Sequence, residues 1–211
     1  PGRLMGSYAE TTAEAYQFTR EAQDEFAIRS LERAKKANED GSFENEIVSV
    51  EIKNRKGSFV VSKDEQPFTA DISKIRNLKP AFSKNGTVTA ANSSSISDGA
   101  AALVIMCKEE AEKRRSKPLA RIVAHSTNSH DPAWFTTAPI GAIKKVLDKA
   151  NWNIKDVGLF EINEAFAVVP MAAMKDLNIS SDIVNVHGGA CALGHPVGTS
   201  GARIIATLIS S

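Results

Sequence analysis

The sequence predicts a layered α/β fold. Three observations carry that expectation. Beyond residue 98, short apolar runs alternate with segments of helical pattern, as strands and helices alternate in such folds. A glycine-rich run at 187–203 follows a strand-like segment and leads into a helix-like one. The 211 residues are 42% hydrophobic and 24% charged, a globular balance with enough chain to bury a core.

The elements follow in order. Residues 7–17 suit a short helix. Thr19 is placed to cap a longer helix reaching Asn38. Phe26, Ala27, Ser30, Leu31 and Ala34 fall on one face of it, and Gly41 lies just past its end. Residues 46–53 and 57–62 alternate apolar and polar around Asn54-Arg55-Lys56, the pattern of a hairpin on an exposed sheet. Residues 63–83 read as irregular and charged, and 87–99 as small, polar and turn-rich. The unbroken apolar run 100–106 is expected to be a buried strand. A charged helix over 108–115 and a strand over 120–125 follow. A helix over 139–149 has Thr137 near its start. A strand spans 157–162. The apolar helix 165–177 contains Pro170, which must kink it or sit near its first turns. A strand at 182–186 and a helix at 202–209 complete the pattern. A boundary near 96–99 divides the chain into units 1–96 and 97–211. The chain opens at Pro1 and stops inside an apolar helical pattern without a cap, so it is read as a piece of a longer protein.

Bulk properties narrow the function. A net charge of +1 gives no argument for nucleic acid or an anionic membrane as partner. No apolar run reaches the ~18 residues of a membrane span, and no signal-peptide pattern opens the chain. Cys107 and Cys191 sit in unrelated contexts, which argues against a disulfide framework and fits a reducing compartment.

Chemistry concentrates in 187–203, which holds five of the 13 glycines and two of the four histidines. Glycines let backbone approach a ligand closely. His195, between Gly194 and Pro196, is the side chain best suited to act as base or oxyanion donor near neutral pH. Cys191 and His195 suggest a nucleophilic dyad, and His187, Cys191 and His195 a metal set. Neither has a supporting acidic or cysteine cluster, and a lone cysteine is more often a small buried hydrophobe. Gly198-Thr199-Ser200-Gly201 lacks nucleophile-elbow spacing. The Gly-x-x-x-Gly spacings make no dinucleotide fingerprint either. Asn163 stands where a strand gives way to a helix. It suits a helix cap and an oxyanion or water donor about equally.

Five segments together resemble the thiolases, and most closely the acetyl-CoA acetyltransferase group. They are Met5-Gly-Ser-Tyr-Ala-Glu10, Arg20-Glu-Ala-Gln-Asp24, the run 86–102, Asn163-Glu-Ala-Phe-Ala167 and the run 188–202 with its Gly-His-Pro. They cover nearly the whole chain in family order. The resemblance implies a thiolase-like layered fold, with residues 1–96 as the coenzyme A-binding loop domain and 97–211 as a truncated C-terminal core domain. It implies an acyltransferase of lipid metabolism that condenses two acetyl-CoA to acetoacetyl-CoA and coenzyme A, or runs the reverse thiolysis. An acyl-cysteine is the intermediate.

It also implies roles: His195 activates the nucleophilic cysteine and donates to the thioester oxyanion, and Asn163 holds the water completing that oxyanion hole. Ser94 hydrogen-bonds the pantetheine arm, while Ala165 and Phe166 line its channel. No cofactor is implied beyond coenzyme A thioesters as substrate. The expected partners are acetyl-CoA, acetoacetyl-CoA and coenzyme A, in a cytoplasmic homodimer or homotetramer without nucleic acid or membrane.

The sequence departs from the family's pattern in several places. The family's nucleophilic cysteine precedes the region this chain covers, and its second catalytic cysteine, in Cys-x-Gly-Gly, follows it. The 211 residues alone are therefore expected to be inactive, leaving a coenzyme A-binding fragment or pseudoenzyme as the alternative. Leu4 replaces a frequent histidine. Leu31 replaces the tyrosine of potassium-dependent animal members, so no potassium site is expected. Lys74, Arg76 and Lys79 are read as a solvated face rather than as phosphate ligands.

Overall fold

A computed structural model describes residues 2–211. Two helices open it, α1 (Met5–Tyr16) and α2 (Arg20–Glu39). The Thr19 hydroxyl caps α2 by accepting from Ala22 N–H at 3.1 Å, with Glu21 in the first turn and Lys36 in the last. A two-residue turn joins β1 (Val50–Asn54) to β2 (Gly57–Val61) as an antiparallel hairpin, with Ile52 opposite Phe59. It is almost wholly exposed, its apolar residues included: Phe59 is 51% exposed and Val60 63%. Residues 63–83 are more ordered than expected: they hold two single-turn helices, α3 (Gln66–Thr69) and α4 (Ile72–Ile75). Asp71 caps α4 by accepting from Ser73 N–H.

After α5 (Lys108–Lys113), a 3-10 turn (Pro132–Thr137) leads into α6 (Ala138–Ala150). The helix expected over 165–177 is α7 (Val168–Leu177). Pro170 is its third residue, where the missing N–H costs no intrahelical bond. Single-turn α8 (Ala190–Leu193) and α9 (Ser200–Ser210) complete the chain.

The expected strands are where sequence and structure part. Residues 100–106 and 120–125 form no strand. Val104 is 89% exposed and Ile122 66%. A strand needs a hydrogen-bonding neighbour and a covered face, and these two runs meet neither among the described residues. Residues 157–162 and 182–186 do meet, but only as a single parallel bridge, Phe160 with Val184. Phe160 N–H donates to Ile183 O at 2.8 Å and Asn185 N–H to Phe160 O at 2.9 Å. Residues 181–183 are a 3-10 turn.

The main core lies between α1, α6 and α7. Ala9, Ala13, Val88, Ile140, Ile162 and Val168 are among its buried members. A second cluster packs Ile28, Leu31 and Ala34 of α2 against Ile75 and Ala192, so α2 lies against the glycine-rich turn. The periodic apolar face read from the sequence is therefore the face that α2 turns toward the site.

Candidate active site

The 188–200 turn is shaped by backbone that only glycine tolerates. Gly188 has φ +77°, and a Cβ there would run into the Ser30 carbonyl and lie 2.8 Å from Ala34 N on α2. Gly194 has φ +88°, and a Cβ there would strike the Ser97 hydroxyl. The chain thus passes tightly over α2, makes α8, and reverses at Gly194 to present His195. His195 N–H donates to Ser95 O at 3.0 Å.

The His195 ring is held from one side. Its Nδ1 lies 2.6 Å from Ser200 Oγ, and that hydroxyl donates to Pro196 O at 3.2 Å. Where the Ser200 proton is directed to Pro196 O, Nδ1–H donates to Ser200 and Nε2 carries the free lone pair. Burial, and then the Arg203 guanidinium, hold the His195 pKa below its ordinary value. That shift favours the neutral ring, the form a base requires.

Asn163 meets the other edge of the ring. Its Nδ2 lies 3.4 Å from both ring nitrogens, longer than a good hydrogen bond, so its N–H groups are left to donate elsewhere. Its Oδ1 is buried and meets no donor among the described residues. Helix α7 begins only at Val168, so Asn163 caps no helix, and that alternative falls away.

Ser94 lies on the adjoining segment. Its N–H and hydroxyl both donate to Ala165 O, at 3.1 and 3.0 Å, and Ser93 bridges Phe166 in antiparallel fashion. The Ser94 oxygen keeps lone pairs that can accept from a ligand amide. Phe166 is buried edge-on between Phe82 (6.0 Å) and Phe135 (6.3 Å). The structure therefore gathers Asn163, Ala165, Phe166, Ser94 and His195 into one neighbourhood from segments up to 101 positions apart. A cleft of about 370 Å³ opens nearby, lined by residues that include Leu31, Ile75, Ala90, Ala91, Cys191 and Ala192.

Cys191 is not presented for chemistry. Its thiol is buried and faces Glu164 O at 3.7 Å. Burial and the neighbouring Glu164 push its pKa well above the ordinary thiol range. His187 packs edge-on against Phe43 at 5.9 Å. No group of three His, Cys, Asp or Glu among the described residues is placed to hold a metal.

Three participants escaped the sequence reading. Ser200 fixes the histidine ring. Glu164 and Asn185 knit the backbone around it: Asn185 exchanges bonds with Ile162 N–H and O, both at 2.8 Å. The signal for Glu164 was a carboxylate at the head of the apolar run 165–174, which must be paired if buried. Ser200 offered only its place at the start of a helix five residues past His195.

Comparisons with known proteins identify the family. The family model for the thiolase N-terminal domain matches residues 2–109, and that for the thiolase C-terminal domain matches 116–211. The chain belongs to the thiolase family. Cytosolic acetyl-CoA acetyltransferase of Mus musculus is 49% identical over 208 residues, which are 97% of this chain and 52% of that protein. The crystal structure of the Bacillus anthracis acetyl-CoA acetyltransferase superposes with a TM-score of 0.95 at 46% identity, covering 99% of this chain and 53% of that one. An Ascaris suum thiolase, Acat5, in complex with coenzyme A superposes at 0.93 with 41% identity over the same shares. This thiolase chain spans about half the length of the curated relatives it matches. Its fold is the layered α/β arrangement of that family.

Proposed function

We propose that this chain is the coenzyme A-binding and oxyanion-binding half of an acetyl-CoA acetyltransferase. The complete protein condenses two acetyl-CoA to acetoacetyl-CoA and coenzyme A, or cleaves acetoacetyl-CoA in reverse. The observation that carries this reading is the pairing of His195 and Asn163 beside Ser94, in a chain this similar to acetyl-CoA acetyltransferases.

The chemistry needs a base and a charge sink. His195 Nε2 takes the proton of the nucleophilic cysteine, which this chain does not contain. The resulting imidazolium donates to the thioester oxygen as charge develops there, and Asn163 N–H supplies a second donor through a held water. Ser94 accepts from the pantetheine amide, and Ala165 and Phe166 wall the arm. In the condensation, the family's second catalytic cysteine, which follows the region this chain covers, would take the α-proton of acetyl-CoA as its thiolate, and the resulting carbanion attacks the acyl-cysteine carbonyl. The C–C bond forms as the cysteine thiolate leaves. The residue-range assignment of 1–96 to coenzyme A binding and 97–211 to the core belongs to this reading. So do a cytoplasmic location, in line with the cytosolic mouse relative, and a homodimer or homotetramer.

One observation favours the alternative of a binding module: neither cysteine here is set as a nucleophile, Cys107 being exposed and Cys191 sealed. Thiolysis assays decide between them. The full-length protein should cleave acetoacetyl-CoA in the presence of coenzyme A, while the 211-residue chain should not. Coenzyme A binding by the full-length protein without cleavage would favour the module.

A further inference from the structure

Glu164 is 1% exposed, and its partners come from three elements. Its Oε2 accepts from the Ser30 hydroxyl at 2.7 Å and from Cys191 N–H at 3.0 Å, and its Oε1 from Asn185 Nδ2 at 2.9 Å. Ser30, on α2, also accepts from Gly189 N–H at 3.0 Å. Glu164 follows Asn163 directly, and Cys191 stands four residues before His195. These buried bonds join the backbone that carries the asparagine to the backbone that carries the histidine, with α2 as the common anchor.

We propose that Glu164, acting through Ser30, is the positioning residue that sets Asn163 against His195. The proposal rests on the catalytic reading above. All three partners of the carboxylate are donors, so an acceptor-only group is required; a glutamine would turn an NH2 toward an N–H or O–H. Buried groups of this kind are expensive to leave unpaired. A hydrophobic replacement could fill the space, yet would orient neither segment of the site. Misplacement of about 1 Å at a reacting centre can cost on the order of a hundredfold in rate.

The test uses the full-length protein, with steady-state thiolysis and 15N ring shifts of its histidines. Ser30→Ala should lower kcat roughly tenfold or more while KM for acetoacetyl-CoA stays within about twofold, since the binding segment at Ser94 is untouched. Glu164→Gln should lose more, and Glu164→Asp, which keeps the acceptor, should recover part of it. The His195 ring shifts, assigned with His195→Ala, should move in Ser30→Ala while those of His125 and His130 stay in place. Ser30→Ala decides alone if a Glu164 variant does not fold. An unchanged kcat in Ser30→Ala overturns the proposal. So does a loss in which kcat, KM and thermal midpoint fall together, and so do unmoved His195 shifts. A wild-type protein without thiolysis would sink the catalytic reading, and the ring shifts would still decide the positioning claim.

Discussion

Two stretches of this chain end in opposite states. Residues 161–168 are mostly buried, pinned by Asn185, Ser30 and the Asn92–Ser94 segment. Residues 100–106 are wholly apolar, whereas 161–168 include Glu161, Asn163 and Glu164, yet it is 100–106 that stand exposed with no ladder. Hydrophobicity does not decide which is covered, since the more apolar run is the exposed one. Partners do: every donor and acceptor that orders 161–168 lies within this chain, and none that would order 100–106 does among the described residues. Helices α1, α2, α6 and α7 form because their backbone bonds are internal, whereas a strand is a contract with another strand.

The sharpest way to probe the contrast is to remove the partner network on the buried side. Glu164→Ala leaves three buried donors without an acceptor and should cost about 3–5 kcal/mol of unfolding free energy by urea titration. A cost under about 1 kcal/mol would place the order of that region elsewhere.

Next comes a matched pair. Ile162→Ala, at 6% exposure, should cost about 2–4 kcal/mol. Val104→Ser, at 89%, should change stability of the same chain by less than about 0.5 kcal/mol. Equal costs would break the comparison.

A smaller effect follows from Glu161. Its side chain is 3% exposed, its Oε2 lacks a hydrogen-bond partner, and Arg203 stands 4.0 Å away. Burial raises its pKa to about 8 against the opposing pull of Arg203. Between its ordinary 4.5 and about 8, the folded state holds a proton that the unfolded state has released, so this group's contribution to stability falls as pH rises through that window. Glu161→Gln should therefore stabilise the protein by about 1–3 kcal/mol at pH 8, and by little at pH 5. Denaturation midpoints at the two pH values check it; a gain equal at both would show that Glu161 does not titrate there.

The smallest effect is kinetic. An aromatic disulfide reagent should label Cys107 rapidly and Cys191 only on unfolding, given their exposure and the raised Cys191 pKa. Two fast thiols would mean that the glycine-rich turn opens.

The same contrast explains what the sequence made legible. The Thr19 cap, the amphipathic face of α2, the hairpin and Pro170 in a first turn are local signals, and each met its expected element. Runs 100–106 and 120–125 depended on distant neighbours, and periodicity carries no information about those. In the site, the glycines and His195 were readable because their types are unusual in combination. Ser30 and Asn185 were not, since a serine on a helix face and an asparagine near a turn are ordinary until Glu164 is placed between them.

The central claim is that His195 and Asn163 serve one developing oxyanion. A double-mutant cycle on kcat for thiolysis by the full-length protein tests it most directly. His195→Ala and Asn163→Ala should each cost about a hundredfold or more. The double variant should cost little beyond the worse single one, because residues acting as a unit are not additive. Losses that multiply, or single variants with near-normal turnover, would contradict a shared site.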